Sequence, residues 1–217
     1  MIFDLHLHTS RYSECAQHSP KELVRVSKDL GLEGIVITEH HRLWSERELA
    51  ELREWAGPEL MVFSGVEVSC FDGGTHLGDY VVLGAPSRSR YPRNPTDLID
   101  WAHSEGAIVW AAHPYRYNWG FFDLVYELAV DAIEVWHPLH DEEQEGWARQ
   151  AAETLGVPQL AVSDAHIPEQ VGINALDTNE PIRELAELME TIRTGAFTPL
   201  LQFGFTQRLA VRKRGLS

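Results

Sequence analysis

Short apolar runs that end on a histidine or a carboxylate alternate with amphipathic helical stretches along this chain from one end to the other. Strands separated by helices are joined by crossovers and run parallel, so the pattern calls for an α/β fold with a mostly parallel sheet. The first strand covers residues 1–7. Side chains alternate faces along a strand, so Asp4, His6 and His8 are expected on one face and Phe3, Leu5 and Leu7 on the other. Ser19-Pro20-Lys21-Glu22 then reads as an N-cap, a proline at the first helical position and a glutamate at the third, which starts a helix ending near Gly31. Residues 34–38 form a continuous apolar run of the kind buried in parallel sheets, with Glu39-His40-His41 at its end. A helix over 45–55, closed by Gly57-Pro58, leads to a third strand over 61–69 that carries Glu67. The Asp72-Gly73-Gly74 turn joins it to a strand over 75–83.

The second half repeats the alternation. Helices are expected over 96–105, 121–129, 141–155 and 180–193. Strands are expected over 107–112, ending in His113-Pro114, over 132–135, containing Glu134, and over 159–162, ending in Ser163-Asp164-Ala165-His166. A closing strand is expected over 200–205. The length suits a single domain, taken as residues 1–205, followed by a loose basic tail over 206–217 that includes Arg212-Lys213-Arg214.

Charge narrows the choice of partner. The chain has 18 basic and 33 acidic residues, a formal net charge of −15. Such a surface repels phosphate backbones and argues against binding long nucleic acid. A small phosphate ester remains compatible, because bound cations reverse the sign locally. No apolar run approaches the ~18 residues of a membrane helix, and the start MIFDLHLHT lacks the basic and apolar regions of a signal peptide. With Cys15 and Cys70 as the only cysteines, no disulfide framework is implied and a reducing cytoplasm is expected.

The eleven histidines recur where strands give way to loops, the rim on which barrel enzymes place their chemistry. In order, the strand-end groups are His6 and His8, Glu39-His40, Glu67, His76 or Asp79, His113, Glu134, and Asp164 with His166. Mixed imidazole and carboxylate donors suit zinc, manganese or iron.

The strings DLHLHTS (4–10), SPKELV (19–24), GLEGIVITEH (31–40), GVEVS (65–69), AAHP (111–114) and SDAH (163–166), taken in that order, resemble the PHP (polymerase and histidinol phosphatase) family of metal-dependent phosphoesterases. The match covers roughly residues 4–166 and continues more weakly through Val171-Gly172. This resemblance implies a distorted (β/α)7 barrel with its metal site at the C-terminal ends of the strands. It implies two or three divalent transition metals. One would be held by His6, His8, Glu67 and Asp164, and a second by Glu14, His40 and His166. A third would use Glu67 as a bridge, with His113 and either His76 or Asp79. Glu14 stands where relatives carry His or Asp, and Glu39 replaces a more frequent Asp.

The function implied is hydrolysis of a small phosphomonoester, such as a nucleotide or histidinol phosphate, by a hydroxide bridging two cations. Arg11 and Arg116 are the expected clamp for the phosphate, and Glu39 or His137 the candidate general acid. Asp4 is expected to support a ligating imidazole from behind. His41, His137 and His140 fall on rim loops, His18 on the turn surface, and Trp119, after Tyr115-Arg116-Tyr117-Asn118, is the candidate substrate wall. Cys15 adjoins a candidate ligand but lacks the spacing of a thiolate site. The alternatives are a non-catalytic PHP docking module, an amidohydrolase acting on a C–N bond, and an exonuclease for short oligonucleotides.

Overall fold

A computed structural model describes residues 1–117 and 120–214, with side chains as far as residue 208. The order is β1 (Ile2–Leu7), α1 (Pro20–Leu30), β2 (Gly34–His40), α2 (Glu46–Ala56), β3 (Met61–Asp72), β4 (Thr75–Leu83), α3 (Pro95–Ser104), β5 (Ile108–Ala112), a 3-10 helix (Phe122–Glu127), β6 (Ala132–Trp136), α4 (Glu142–Leu155), β7 (Gln159–Ala161), β8 (Ala175–Thr178), α5 (Leu185–Thr194), β9 (Phe197–Leu200) and α6 (Phe203–Arg214).

The sheet runs β7-β6-β5-β4-β3-β2-β1-β8-β9. β1, β2 and β3 are parallel, as are β5, β6 and β7, while β4 runs antiparallel to both its neighbours. The sheet curls into a nearly closed barrel. Past the end of β7, Ala165 bridges to Leu7 in parallel, and His8 N–H donates to the Ala165 carbonyl at 3.1 Å. Residues that follow the seventh strand are therefore stitched to the end of the first, on the side where the histidines stand. Because β4 is reversed, its first residues share that rim with the last residues of the other strands.

Helix starts follow local chemistry. The Ser19 hydroxyl accepts the Glu22 amide and Pro20 occupies the first turn of α1. Ser45 and Glu48 cap α2 reciprocally, and Asp141 does the same for α4 with Gln144. Each satisfies amides that a helix leaves without partners.

Three expectations are corrected. Residues 200–205 do not form a strand: β9 ends at Leu200 and α6 runs to Arg214, so the segment expected as loose tail is helical as far as it is described. The helix expected over 121–129 is a shorter 3-10 helix. The strict alternation in β1 also fails. Its register against β2 slips between Asp4 and Leu7. Phe3 and Leu5 pack with Val81, Trp110 and Leu160 inside the barrel, whereas Leu7 packs with Leu23, Val24 and Ile35 beneath the helices. A bulge changes which side later residues face, and it turns His6 inward along with Leu5.

Candidate metal centre

The site is assembled from the ends of β1, β2 and β5, the middles of β3 and β4, and the loop after β7. Its centre is a pair of imidazoles. His6 Nδ1 lies 2.7 Å from Glu134 Oε1. His8 Nδ1 lies 3.3 Å from the Ser13 hydroxyl, which itself donates to Glu39 at 2.5 Å. With their Nδ1–H groups donating outward, the two rings turn their Nε2 atoms toward each other at 3.0 Å. In neutral rings this sets lone pair against lone pair. The same point is flanked by carboxylates. Asp164 Oδ1 is 3.4 Å from His6 Nε2 and 3.1 Å from His8 Nε2, and the Glu67 oxygens are 3.7 and 3.4 Å from them.

Such a knot requires a positive charge. Four donors around zinc at its usual bond lengths lie about 3.3–3.6 Å apart in a tetrahedron, and the distances here bracket that value. Without a metal, a proton takes the role. Burial opposes charge on His6, yet Glu134, Asp164 and Glu67 hold its pKa well above the ordinary value. Burial likewise opposes ionisation of Asp164, but His6, His137 and His8 hold this carboxyl well below its ordinary range. The residues present therefore fit a divalent cation.

Glu67 joins this centre to two others. Its Oε1 is 3.2 Å from His113 Nε2 and its Oε2 is 2.8 Å from His40 Nδ1. Among the described residues, donor atoms converge within 4.8 Å in three groups: His6, His8 and Glu67; His8, His40 and His166; and Glu67, Asp79 and His113. Between the two residues left open for β4, the structure brings Asp79 into the cluster. His76 stands behind it, with Nε2 3.1 Å from Asp79 Oδ1. His113 and Asp164 adopt left-handed backbone angles, φ 31° and 46°, which cost non-glycine residues of order 1–3 kcal/mol and are typical of functional sites.

Asp164 divides its two oxygens. Oδ1 faces the paired imidazoles, while Oδ2 is 3.2 Å from His137 Nε2 and 3.6 Å from Arg116. The Leu139 amide donates to His137 Nδ1 at 3.1 Å, so the proton of this ring is on Nε2, pointed at Asp164. Burial lowers the pKa of His137 and keeps the ring neutral. It stands as a hydrogen-bond donor to Asp164 on the cleft wall.

Other expected site residues stand elsewhere. Arg11 is exposed and pairs with Glu48 at 2.8 Å, outside the cleft. Glu14 is exposed and belongs to none of the three donor groups. Glu39 is buried and accepts bonds from Thr9, Ser13 and the Trp44 indole; it anchors the loop after β1 and does not line the cleft. Asp4 accepts the amides of Ser163 and Gly172 at 3.3 and 2.9 Å and so ties the chain after β7 to β1, with no imidazole as its partner among the described residues. His18 is buried, not on the surface. Trp119 and Asn118 lie outside the described residues.

Glu134 was one of the strand-end groups of the sequence but was assigned to none of the three metals. It is fully buried and accepts from His6, the Trp110 indole and the His113 amide. Its signal was a carboxylate within an otherwise apolar strand. Ser13 carried no signal at all.

The cleft over these groups has a volume near 460 Å³, and Arg116 is the one arginine or lysine lining it among the described residues. No described helix is long and apolar enough to cross a membrane.

Comparison with known proteins accords with this architecture. Residues 144–197 match the family model described as PHP-associated. The uncharacterized protein MJ1587 of Methanocaldococcus jannaschii is 25% identical over 154 residues, 64% of this chain and 84% of that protein. PsfC from Pseudomonas syringae has a similar structure, with a TM-score of 0.70 at 18% identity, covering 100% of this chain and 98% of that one. A two-domain protein from Bacteroides vulgatus, containing a predicted PHP-like metal-dependent phosphoesterase, gives a TM-score of 0.68 at 19% identity, covering 93% of this chain and 65% of that one. Identities this low carry the fold and leave the reaction to be argued from the site.

Proposed function

From the premise that the chain is a PHP-type barrel, we propose that it is a metal-dependent hydrolase of small phosphate monoesters. The observation that carries the reading is the pair of opposed Nε2 atoms of His6 and His8, 3.0 Å apart between the carboxylates of Glu67 and Asp164. When bound there and beside His40, His166, Asp79 and His113, divalent cations would supply a water activated near neutral pH and neutralise charge on the phosphoryl oxygens.

The protein's own groups do the rest. Glu134 and Ser13 fix the rings of His6 and His8 so that Nε2, not Nδ1, faces the cleft. Arg116 rests on Asp164 Oδ2 at 3.6 Å, too long for a good hydrogen bond. It is free to turn to a phosphoryl oxygen, where a guanidinium can hold two oxygens at once. His137 keeps Asp164 from rotating when Arg116 leaves. A single lining arginine among the described residues, a cleft of about 460 Å³ and a net charge of −15 favour a small monoester over a polymer. Two free cysteines accord with a reducing, cytoplasmic setting.

The test is turnover of p-nitrophenyl phosphate against bis-p-nitrophenyl phosphate by protein loaded with manganese or zinc. The monoester should be cleaved faster, and His8→Ala should abolish that activity. Activity that survives the substitution, or a preference for the diester, counts against the proposal.

A further inference from the structure

The last helix has no part in the scheme above, yet it leans on the segment that carries Asp164 and His166. That segment lies between β7 and β8 and touches the sheet at the Ala165 bridge. Beyond the bridge it makes its own shape. The Gln170 side-chain oxygen accepts the amides of His166 and Ile167 at 2.8 and 3.2 Å, and the Ile173 amide donates to the Gln170 carbonyl at 2.9 Å. Residues 166–173 are thus wound into one tight turn, and the setting of that turn fixes where the His166 ring stands.

α6 closes the turn from outside. Arg208, half-buried, donates through one nitrogen, Nη2, to the carbonyls of Pro168 and Val171, each at 2.9 Å. The Gly204 amide donates to the Gly172 carbonyl at 2.6 Å, and Phe203 is buried in the cluster of Leu7 and Leu23. Glycine is a poor helix former, but here it permits the approach: a Cβ at 204 would stand 2.8 Å from the Gly172 oxygen. On the inner side the Gly172 amide is bound to Asp4 at 2.9 Å. The turn is gripped between β1 and α6.

We propose that Arg208 is a positioning residue for the metal centre, holding the turn of residues 166–173 so that His166 meets His8 and His40. This rests on the metal-dependent reading above. The three imidazoles bring donor atoms within 4.8 Å of one another, and the rings of His8 and His166 lie 4.3 Å apart. A shift of the turn would move His166 alone out of that group, because His8 and His40 belong to β1 and β2. Partners that orient a ligand contribute about 10–100-fold to metal affinity. Arg208 acts through the backbone and belongs at the lower end, about 10-fold. Coupling between two binding events is reciprocal, so a cation at His166 must favour the docked state of α6 by the same factor.

The experiment is amide hydrogen exchange of the full chain, freed of metal and then saturated with zinc. Zinc should slow the Gly204 and Thr206 amides of α6 by about 10-fold, together with the amides of residues 166–173. Arg208→Met keeps the aliphatic stem and removes the donors. It should weaken one zinc equivalent about 10-fold in competition calorimetry, with far-ultraviolet circular dichroism unchanged. Arg208→Lys should restore that affinity, since an ammonium has three donors and one nitrogen makes both bonds. Protection of residues 166–173 with α6 unaffected, zinc affinity unchanged in Arg208→Met, or a lysine variant no better than methionine each overturn the role of Arg208 and leave the metal centre standing. A protein that binds no zinc overturns both. Exchange in the wild type decides the question even if a variant fails to fold.

Discussion

The chemistry of single residues here depends on what stands behind them. His6 can offer Nε2 to the cleft because Glu134 holds its Nδ1 at 2.7 Å, and Glu134 stays in place because the Trp110 indole and the His113 amide bind it at 2.9 Å each. Replacing Glu134 with glutamine keeps the volume but sets an NH2 group against one of three donors. The ring of His6 loses its preferred tautomer. Supporting carboxylates of this kind are worth about 10–100-fold in metal affinity. Glu134→Gln should therefore weaken binding at the paired imidazoles by that factor in competition calorimetry, while far-ultraviolet circular dichroism stays unchanged. Unchanged affinity would show that Glu134 serves packing alone. The contrast between His6 and Arg11 shows what a sequence makes legible. Both lie in the same short stretch, and strand spacing singles out the first. The second was assigned to the cleft by nearness in the chain, yet its partner Glu48 lies 37 residues away on α2. Local spacing carries the residue type and the strand, but not the partner across the fold.

At the scale of elements, the signals that proved legible are those that act within one turn of the chain. Ser19 with Pro20 marks the start of α1 where the structure has it, and the helices expected from 45 and 141 begin there too, at the caps Ser45 and Asp141. The hairpin turn at Asp72-Gly73-Gly74 was equally visible, and it reverses β4 so that Asp79 reaches the rim. What the sequence hid is the slip in β1, because a bulge leaves the order of apolar residues intact. Glu48 shows how an element's cap becomes tied to another element. It receives bonds from the amide and hydroxyl of Ser45, from Tyr12 and from Arg11. The Ser45 hydroxyl first, then Tyr12 and Arg11, press its pKa from 4.5 to about 2. A carboxyl whose pKa is lower in the folded state stabilises the fold when ionised. That stabilisation is fully present above about 4.5 and is lost as the pH falls through about 2. Glu48→Gln should thus melt below the wild type near neutral pH, and the difference between the two should shrink as the solution is acidified through that window. A difference independent of pH would mean that the Glu48 charge contributes nothing to folding.

For the whole molecule, the barrel is closed by short-range hydrogen bonds at one seam and by the charged cluster across its mouth. His6 comes from β1, Glu67 from β3, His113 from the end of β5 and Asp164 from beyond β7, so the four converge from elements spread over more than two-thirds of the chain. The resemblance in the strings from DLHLHTS to SDAH anticipated this convergence, but the seam between Leu7 and Ala165 emerges only when the strands are laid side by side. In the metal-free protein buried carboxylates and opposed imidazoles stand beside that seam, and Glu134, Asp164 and Glu67 favour a proton on His6 although burial opposes it. A cation that enters displaces that proton and binds the folded state alone. Free metal at about 100 times its dissociation constant would then add ~2.7 kcal/mol to the stability of the fold. Because the imidazoles must be neutral to coordinate, the gain should diminish in acid. Calorimetric scans with zinc and with a chelator should show a higher melting temperature for the loaded protein, the gap narrowing as the pH is lowered. Equal melting temperatures in the two solutions at neutral pH would mean that the cluster is satisfied by protons alone, and the case for hydrolysis at this site would fall with it.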